Sequence, residues 1–152
     1  MIRVVRTAFV LGAGLGTRLR PLTSRRPKPL IPVVNRPLLA HTFDRLIAES
    51  IEMLVVNTHW AAEAYATAFP DGSYRGVPLD FCEEKPEVLE TAGGIKNVED
   101  LLGDGPFIVH NGDILTDLPL RRALGFHVAS GKSRSKAQIG RASCRERVCY
   151  AV

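Results

Sequence analysis

The chain has 152 residues, of which 45% are hydrophobic and 24% are charged, and its mean hydropathy is close to zero. This composition suits one globular domain and excludes a disordered tail, a collagen-like repeat and a small disulfide-stabilised secreted protein. The formal net charge is +4, but residues 131–152 carry six basic side chains and one acidic one, so the remaining residues are nearly neutral. We therefore expect no nucleic-acid partner. Since no apolar run approaches a membrane span and the start lacks a secretory signal, we also expect no membrane partner and a cytoplasmic location.

Short apolar runs alternate with segments of helical periodicity along the chain. The predicted strands are TAFVL at 7–11, MLVVN at 53–57, LDFCE at 79–83 and FIVH at 107–110. The predicted helices follow Pro37, cover about 61–69, extend from a capping Thr91 to Gly103, and span 120–129. This alternation predicts βαβ units and a mainly parallel sheet, whose ligands bind at the carboxyl ends of the strands.

Two of these strand ends carry unusual residues, and the first is GAGLGTRLRPLTSRRPKPL at 12–30. Glycines after a buried strand let backbone N–H groups approach a phosphate chain. Thr17 stands where a dinucleotide-binding loop needs glycine, and Thr17-Arg18 replaces the Lys-Ser/Thr pair of a Walker loop. Lys28 lies between two prolines, whose stiff backbone aims its ammonium at a fixed point. The structural alternative is a tight strand-to-helix turn followed by a polar loop.

The second unusual strand end is Asn111-Gly112-Asp113, where Asp113 offers a carboxylate to a metal ion or forms an ordinary turn. Glu83 and Glu84 are expected at a solvated strand end, with a base-binding pocket as the alternative. The histidines share no metal-ligand spacing, so we expect them on the surface or in the core: His41, His59, His110 and His127.

The stretch GAGLGTRLRPLTSRRPKPLIPVVNRPLL resembles the signature of sugar-1-phosphate nucleotidylyltransferases, and TAGG at 91–94 and NGD at 111–113 follow in the family's order. The resemblance covers about residues 7–130 and implies a Rossmann-like α/β fold of the glycosyltransferase-A type with a mainly parallel sheet. It implies transfer of NMP from an NTP to a sugar 1-phosphate, with Mg²⁺, to give an NDP-sugar and pyrophosphate. LETAGG and VHNGD look closest to bacterial enzymes for N-acetylmuramate, mannose or heptose 1-phosphate, which implies nucleotide-sugar biosynthesis for cell-envelope polysaccharide.

The resemblance also implies roles for individual residues. Arg18 would neutralise the departing β- and γ-phosphates, and Lys28 would hold the α-phosphate or the sugar phosphate. Asp113 would ligate Mg²⁺. The nucleotide-binding residues would be the glycine loop and the segment that borders the base: Leu11, Gly12, Ala13, Gly14, Gly16, Thr17, Arg18, Thr91 and Gly93.

Two alternatives stay open. A cytidylyltransferase acting on phosphocholine or a similar alcohol phosphate would share the glycine loop and the Pro-Lys-Pro stretch. A catalytically silent relative would bind nucleotide as a regulatory module, although the joint presence of Arg18, Lys28 and Asp113 argues against it. A nicotinamide-dependent oxidoreductase is disfavoured by Thr17.

The end of the chain looks foreign. Residues 139–149 read IGRASCRERVC, which can be back-translated to DNA that resembles the adapter ligated to short-read sequencing libraries. We predict that residues 1–137 are the N-terminal part of a nucleotidyl transferase domain and that 138–152 are a non-native tail; the alternative is a genuine basic tail. The family places its sugar-binding segments and a second metal-binding aspartate further along. We therefore expect the 152-residue chain to bind Mg²⁺–NTP weakly and to form no NDP-sugar.

Overall fold

A computed structural model of the chain describes residues 5–130, 134–138 and 147–151. The strands are β1 Thr7–Leu11, β2 Pro32–Val33, β3 Arg36–Pro37, β4 Met53–Thr58, β5 Ser73–Tyr74, β6 Val77–Glu83, β7 Phe107–Asn111, β8 Arg134–Gln138 and β9 Arg147–Ala151. The helices are α1 Leu38–Ala48, α2 Ala62–Ala68, α3 Glu90–Asn97, α4 Glu99–Leu102 and α5 Leu120–Ser130. Short 3-10 helices cover Thr17–Leu19, Leu22–Ser24 and Lys28–Leu30. None of the helices described is long and apolar enough to cross a membrane.

Seven strands form one sheet in the order β5-β6-β4-β1-β7-β9-β8, and β2 and β3 pair separately as a small hairpin. The four central strands β6, β4, β1 and β7 are parallel, whereas β5, β9 and β8 make antiparallel pairs. This arrangement confirms the predicted α/β class with a mainly parallel sheet. The register sets Leu11 beside both Asn57 and Asn111, so three strand ends meet at one edge of the sheet.

The core occupies both faces of the sheet. On one face, Val10 and Val56 pack with Phe43 of α1 and Tyr65 of α2. On the other face, a smaller cluster around Phe9 packs with residues of the α3–α4 segment. Because β1 is covered on both sides, its sequence is a continuous apolar run, as expected of a central parallel strand.

The boundaries refine several predictions. Thr91 was expected to cap a helix, but α3 begins at Glu90, so Thr91 lies inside its first turn. The helix is interrupted at Val98 and resumes as α4, which ends at Gly103 with φ of 68°. Strand β9 falls within the predicted non-native tail and pairs with β7; the boundary after residue 137 stays a prediction.

Candidate functional site

A cavity of about 340 Å³ opens where β1 and β7 end. The glycine loop forms one wall, the Lys28-Pro29 turn a second, and the end of β7 a third. The structure thus brings together most of the residues singled out from the sequence: Leu11, Gly12, Gly14, Gly16, Thr17, Arg18, Lys28 and Asp113.

Three other predicted residues lie elsewhere. Ala13 is buried behind the loop with 4% of its surface exposed. Thr91 and Gly93 belong to α3 and are absent from the lining of this cavity. The structure therefore does not bring Thr91 and Gly93 into the cavity that holds Lys28, Arg18 and Asp113.

Gly12 is fixed from both sides of its peptide unit. Its N–H donates to Asn57 Oδ1 at 2.8 Å, and the Tyr65 hydroxyl donates to its carbonyl oxygen at 2.8 Å. A Cβ atom here would lie 2.7 Å from the backbone oxygen of Asn57. Only glycine fits this position, and its N–H is already engaged within the protein.

Gly16 folds the loop back towards the cavity. It adopts a left-handed φ of 60°, and its carbonyl oxygen accepts a hydrogen bond from Thr23 Oγ1 at 2.7 Å. A Cβ atom at Gly16 would lie 2.9 Å from Thr23 Cγ2 and 3.2 Å from Lys28 Cβ. This close packing places the loop directly against the segment that carries Lys28.

Lys28 and Asp113 are joined across the cavity, although 85 residues separate them in sequence. Lys28 Nζ lies 2.5 Å from Asp113 Oδ2, and the side chains are 34% and 31% exposed. The Gly112 N–H donates to the Leu11 carbonyl at 2.8 Å, which fixes the turn carrying Asp113 beside β1. An ion pair this accessible stabilises the fold by at most about 1 kcal/mol, so its interest is chemical.

Arg18 stands at the mouth of the cavity with its side chain exposed. The structure gives it no hydrogen bond or ion pair with any residue it describes. An arginine in this state can offer its fork of N–H donors to an anion without first breaking an internal contact.

Sequence reasoning was wrong about Glu84. It was expected at a solvated strand end, but it is completely buried, and its carboxylate oxygens accept from Asn57 Nδ2 at 2.7 Å and the Leu89 N–H at 2.8 Å. Glu83, its neighbour, is exposed and pairs with Lys85 at 2.8 Å, as a solvated strand end predicts. The available signal was Asn57, a polar residue that closes the apolar run MLVVN.

Tyr65 was also missed, because a tyrosine in an alanine-rich helix carries no functional signal. Burial raises the pKa of its phenol, and the charge of Asp113 raises it further. Tyr65 therefore stays protonated and acts as a permanent donor to the Gly12 carbonyl.

Three of the four histidines have side chains that the structure describes. His41, His59 and His110 each place a ring nitrogen within hydrogen-bond distance of a backbone carbonyl, and the side chain of His127 lies outside the described part. Within the described residues, no group of three or more His, Cys, Asp or Glu side chains could hold a metal ion. Among the described residues that line the cavity beside the glycine loop, Asp113 is the acidic one.

A larger cavity of about 610 Å³ lies between α1 and the segment after β7. His41, Arg45, His110 and Asp117 are among its lining residues. It includes neither the glycine loop nor Lys28. Arg18, Lys28 and Asp113, which the sequence singled out, therefore line the smaller cavity.

Comparison with known proteins gives a consistent result. The family model described as nucleotidyl transferase matches residues 7–150. The chain is 42% identical over 123 residues to an N-acetylmuramate alpha-1-phosphate uridylyltransferase of Neisseria meningitidis, covering 81% of this chain and 52% of that protein. It is 40% identical over 121 residues to a mannose-1-phosphate guanylyltransferase of Mycobacterium tuberculosis, covering 79% and 33%.

Solved structures support the same fold. HddC from Yersinia pseudotuberculosis complexed with GMP-PN matches with a TM-score of 0.72 and 25% identity, over 81% of this chain and 54% of that one. A putative glucose-1-phosphate thymidylyltransferase from Bacillus anthracis matches with a TM-score of 0.74 and 20% identity, over 87% and 53%, and shows the fold alone. The chain spans about half of the Neisseria protein and a third of the mycobacterial one.

Proposed function

Because the chain belongs to the nucleotidyl transferase family, we propose that it supplies the nucleotide-binding half of an enzyme that transfers NMP from an NTP to a sugar 1-phosphate. The observation that carries the proposal is the cavity in which Lys28 and Asp113 meet beside the glycine loop and Arg18. Transfer of this kind needs cations and a metal-binding carboxylate around a phosphate chain, and it needs no side-chain nucleophile.

The reaction would proceed by direct displacement. An oxygen of the sugar phosphate attacks the α-phosphorus, a new P–O bond forms, and the bond to the pyrophosphate oxygen breaks. Lys28 would hold the α-phosphate or the incoming sugar phosphate, and Arg18 would neutralise the departing pyrophosphate. Each would stabilise charge that develops as the reaction proceeds.

We propose Asp113 as a ligand of Mg²⁺. The donor chemistry fits, because a partly exposed carboxylate at a cavity wall is the hard oxygen ligand that Mg²⁺ takes together with substrate phosphates and water. When bound, the ion would neutralise charge on phosphate oxygens. Lys28 would then turn from Asp113 to the phosphate, so the observed ion pair keeps both groups aligned until the nucleotide arrives.

The base and the sugar are proposed only as classes. Thr91 and Gly93 would border the base from α3, and the substrate classes are those of relatives that transfer uridylyl or guanylyl groups. Since the reactants are NTPs and sugar phosphates, we place the activity in the cytoplasm. Its product would serve cell-envelope polysaccharide synthesis.

The test is a screen for pyrophosphate release by the full-length gene product. It pairs each common NTP with a panel of sugar 1-phosphates, phosphocholine and no acceptor, with and without Mg²⁺. We expect release that requires both a sugar 1-phosphate and Mg²⁺. Release only with phosphocholine would favour the cytidylyltransferase, and nucleotide binding without release would favour the silent module.

A matched pair of lysine variants ties the activity to this cavity. Lys28→Ala should lower kcat/KM on the order of 10²-fold, because the variant lacks the ammonium group that would neutralise charge on the transferring phosphate. Lys85→Ala removes an exposed lysine outside the cavity and should change little. Equal kcat/KM values for the two variants would remove Lys28 from the mechanism.

A further inference from the structure

Three strand ends and one helix start are linked by a buried chain of hydrogen bonds. Glu84, fully buried after β6, accepts from the Leu89 N–H just before α3 at 2.8 Å and from Asn57 Nδ2 at the end of β4 at 2.7 Å. Asn57 Oδ1 in turn accepts from the Gly12 N–H after β1 at 2.8 Å. These contacts connect the start of α3 to the glycine loop through Asn57 and Glu84, whose side chains do not line the cavity.

The chemistry of the groups fixes the direction of every bond in this chain. A carboxylate that faces two N–H donors serves only as an acceptor, and the Gly12 N–H can only donate. The Asn57 amide between them must therefore point its NH₂ at Glu84 and its oxygen at Gly12. The opposite orientation would set donor against donor at Gly12 and acceptor against acceptor at Glu84.

The packing allows little room for another arrangement. A Cβ atom at Gly94 of α3 would lie 2.8 Å from Glu84 Oε1 and 3.1 Å from Asn57 Nδ2. The glycine of the TAGG segment that this chain of bonds requires is thus Gly94, which is buried, rather than Gly93. Helix α3, which would border the base, therefore packs directly against the Asn57 amide that bonds to Gly12 of the glycine loop.

We infer that Glu84 and Asn57 are positioning residues, which hold the Gly12 peptide in the conformation that accepts a nucleotide and couple it to the start of α3. The nucleotide part of this inference rests on the proposed function. Neither side chain lines the cavity, so both would act through Gly12 and Leu89 rather than by contact with substrate. Tyr65, which donates to the Gly12 carbonyl, completes the support from the opposite side.

An exchange of acid and amide tests the inference. Glu84→Gln keeps the shape but replaces one acceptor by a donor, and Asn57→Asp sets two carboxylates against each other. In the double variant, the new amide at 84 donates to the new carboxylate at 57, which still accepts from Gly12, and the Leu89 N–H keeps its acceptor. Every hydrogen bond is restored with the same total charge.

Two readouts on the 152-residue chain separate this inference from the proposed function. The first is hydrogen exchange of the Gly12 amide without nucleotide, followed by NMR. The second is the affinity for Mg²⁺–UTP and Mg²⁺–GTP, followed by calorimetry. We expect each single variant to speed Gly12 exchange and weaken binding about tenfold or more, and the double variant to return both to within about threefold of wild type.

Asp44→Asn is the matched control, because it removes a hydrogen-bonded carboxylate that has no contact with Gly12. It should lower the melting temperature while leaving Gly12 exchange and nucleotide affinity unchanged.

Single variants that behave like this control would overturn the inference, as would a double variant without recovery. If neither single variant folds, a double variant that folds supports the inference and one that does not overturns it. A wild-type chain that binds neither nucleotide would count against the proposed function, and Gly12 exchange would still decide whether the bonds fix the loop.

Discussion

The hydrogen-bonded support of the glycine loop, formed by Gly12, Asn57 and Glu84 and here called the floor, differs sharply from the exposed part of the loop, formed by Gly14, Leu15 and Arg18 and here called the rim. Every polar group described at the floor meets a protein partner, and Asn57 and Glu84 are at most 3% exposed. At the rim, Leu15 is 50% exposed and a Cβ atom at Gly14 would meet nothing within 4 Å. The backbone of the floor is therefore fixed by contacts within the protein, whereas the rim is open to solvent.

The largest expected effect comes from breaking the floor with Gly12→Ala. The added methyl group would lie 2.7 Å from a backbone oxygen, which cannot rotate away as a side chain would. We expect a loss of about 1–3 kcal/mol in the free energy of unfolding. Nucleotide affinity should fall by up to about 10²-fold, since small displacements of a positioning group are that costly.

Denaturant unfolding and calorimetry with Mg²⁺–NTP check this prediction, and Gly105→Ala serves as its control. A Cβ atom at Gly105 would meet nothing within 4 Å, so stability should stay within about 0.5 kcal/mol of wild type. Equal stability of the two alanine variants would show that the floor yields, and would remove the contrast with the rim.

At the rim, Arg18→Ala should have the opposite profile. Because Arg18 has no hydrogen bond or ion pair with the residues described, its removal should leave the unfolding curve unchanged. Since it would neutralise the departing pyrophosphate, kcat/KM of the full-length enzyme should fall on the order of 10²-fold. Arg26→Ala, an exposed arginine outside the cavity, is the control. Steady-state kinetics that place the two variants together would exclude a role for Arg18.

Tyr65→Phe should weaken the floor less than Gly12→Ala does. It removes the hydroxyl that donates to the Gly12 carbonyl and leaves the packed ring in place. We expect a loss of about 1–2 kcal/mol in the free energy of unfolding, as for a buried hydrogen bond with one partner removed. Denaturant unfolding measures this loss, and a variant as stable as wild type would show that the hydroxyl contributes nothing to the floor.

The same tyrosine predicts how stability depends on alkaline pH. Its pKa is raised above the ordinary value of 10.0, so the folded state favours the neutral phenol. The stability that the neutral phenol contributes is fully present below pH 10 and is lost as the pH rises above that value towards the folded pKa. The alkaline loss of stability should be smaller in Tyr65→Phe, and equal losses in the two proteins would contradict the assignment.

The sequence predicted the sheet well because the signals there are local. Each central strand is covered on both faces, so it appears as an apolar run such as TAFVL. The ends of β1 and β7 stood out because glycine and acidic residues follow these runs directly. That Lys28 and Asp113 form one pair was beyond the sequence, since the contact spans 85 residues and depends on the register of β1 with β7.

The prediction of a solvated Glu84 failed for a different physical reason. Nothing local distinguishes it from Glu83, because the groups that surround its carboxylate, Asn57, the Leu89 N–H and Gly94, come from other parts of the chain. The β2–β3 hairpin was missed because its turn places Val34 and Asn35 at φ of 50° and 58°. A β-branched residue such as Val34 is poorly suited to that conformation, so it gives no turn signal.

Asp44 lies outside both the floor and the rim, so a variant at this position is a reference for the effects expected in those two regions. On α1, its carboxylate is bound by Arg36 at 2.6 Å, by the Tyr74 hydroxyl at 3.0 Å and by Arg75 at 3.0 Å. Burial alone would raise the pKa of Asp44, but the hydrogen bonds from Arg36 and Tyr74 and the nearby arginine charges outweigh it. The pKa is therefore lowered from the ordinary value of 3.8.

The smallest effect we expect is the acid sensitivity that follows from this carboxylate. Since the folded pKa lies below the unfolded one, the contribution of Asp44 is complete above about pH 4 and is lost as the pH falls below it. Asp44→Asn should therefore be less stable than wild type at neutral pH, and the difference should shrink on acidification. Urea unfolding across this range measures it. A difference that stays constant with pH would mean that packing rather than charge explains the loss, and an accompanying loss of nucleotide affinity would show that the floor is not independent of the rest of the fold.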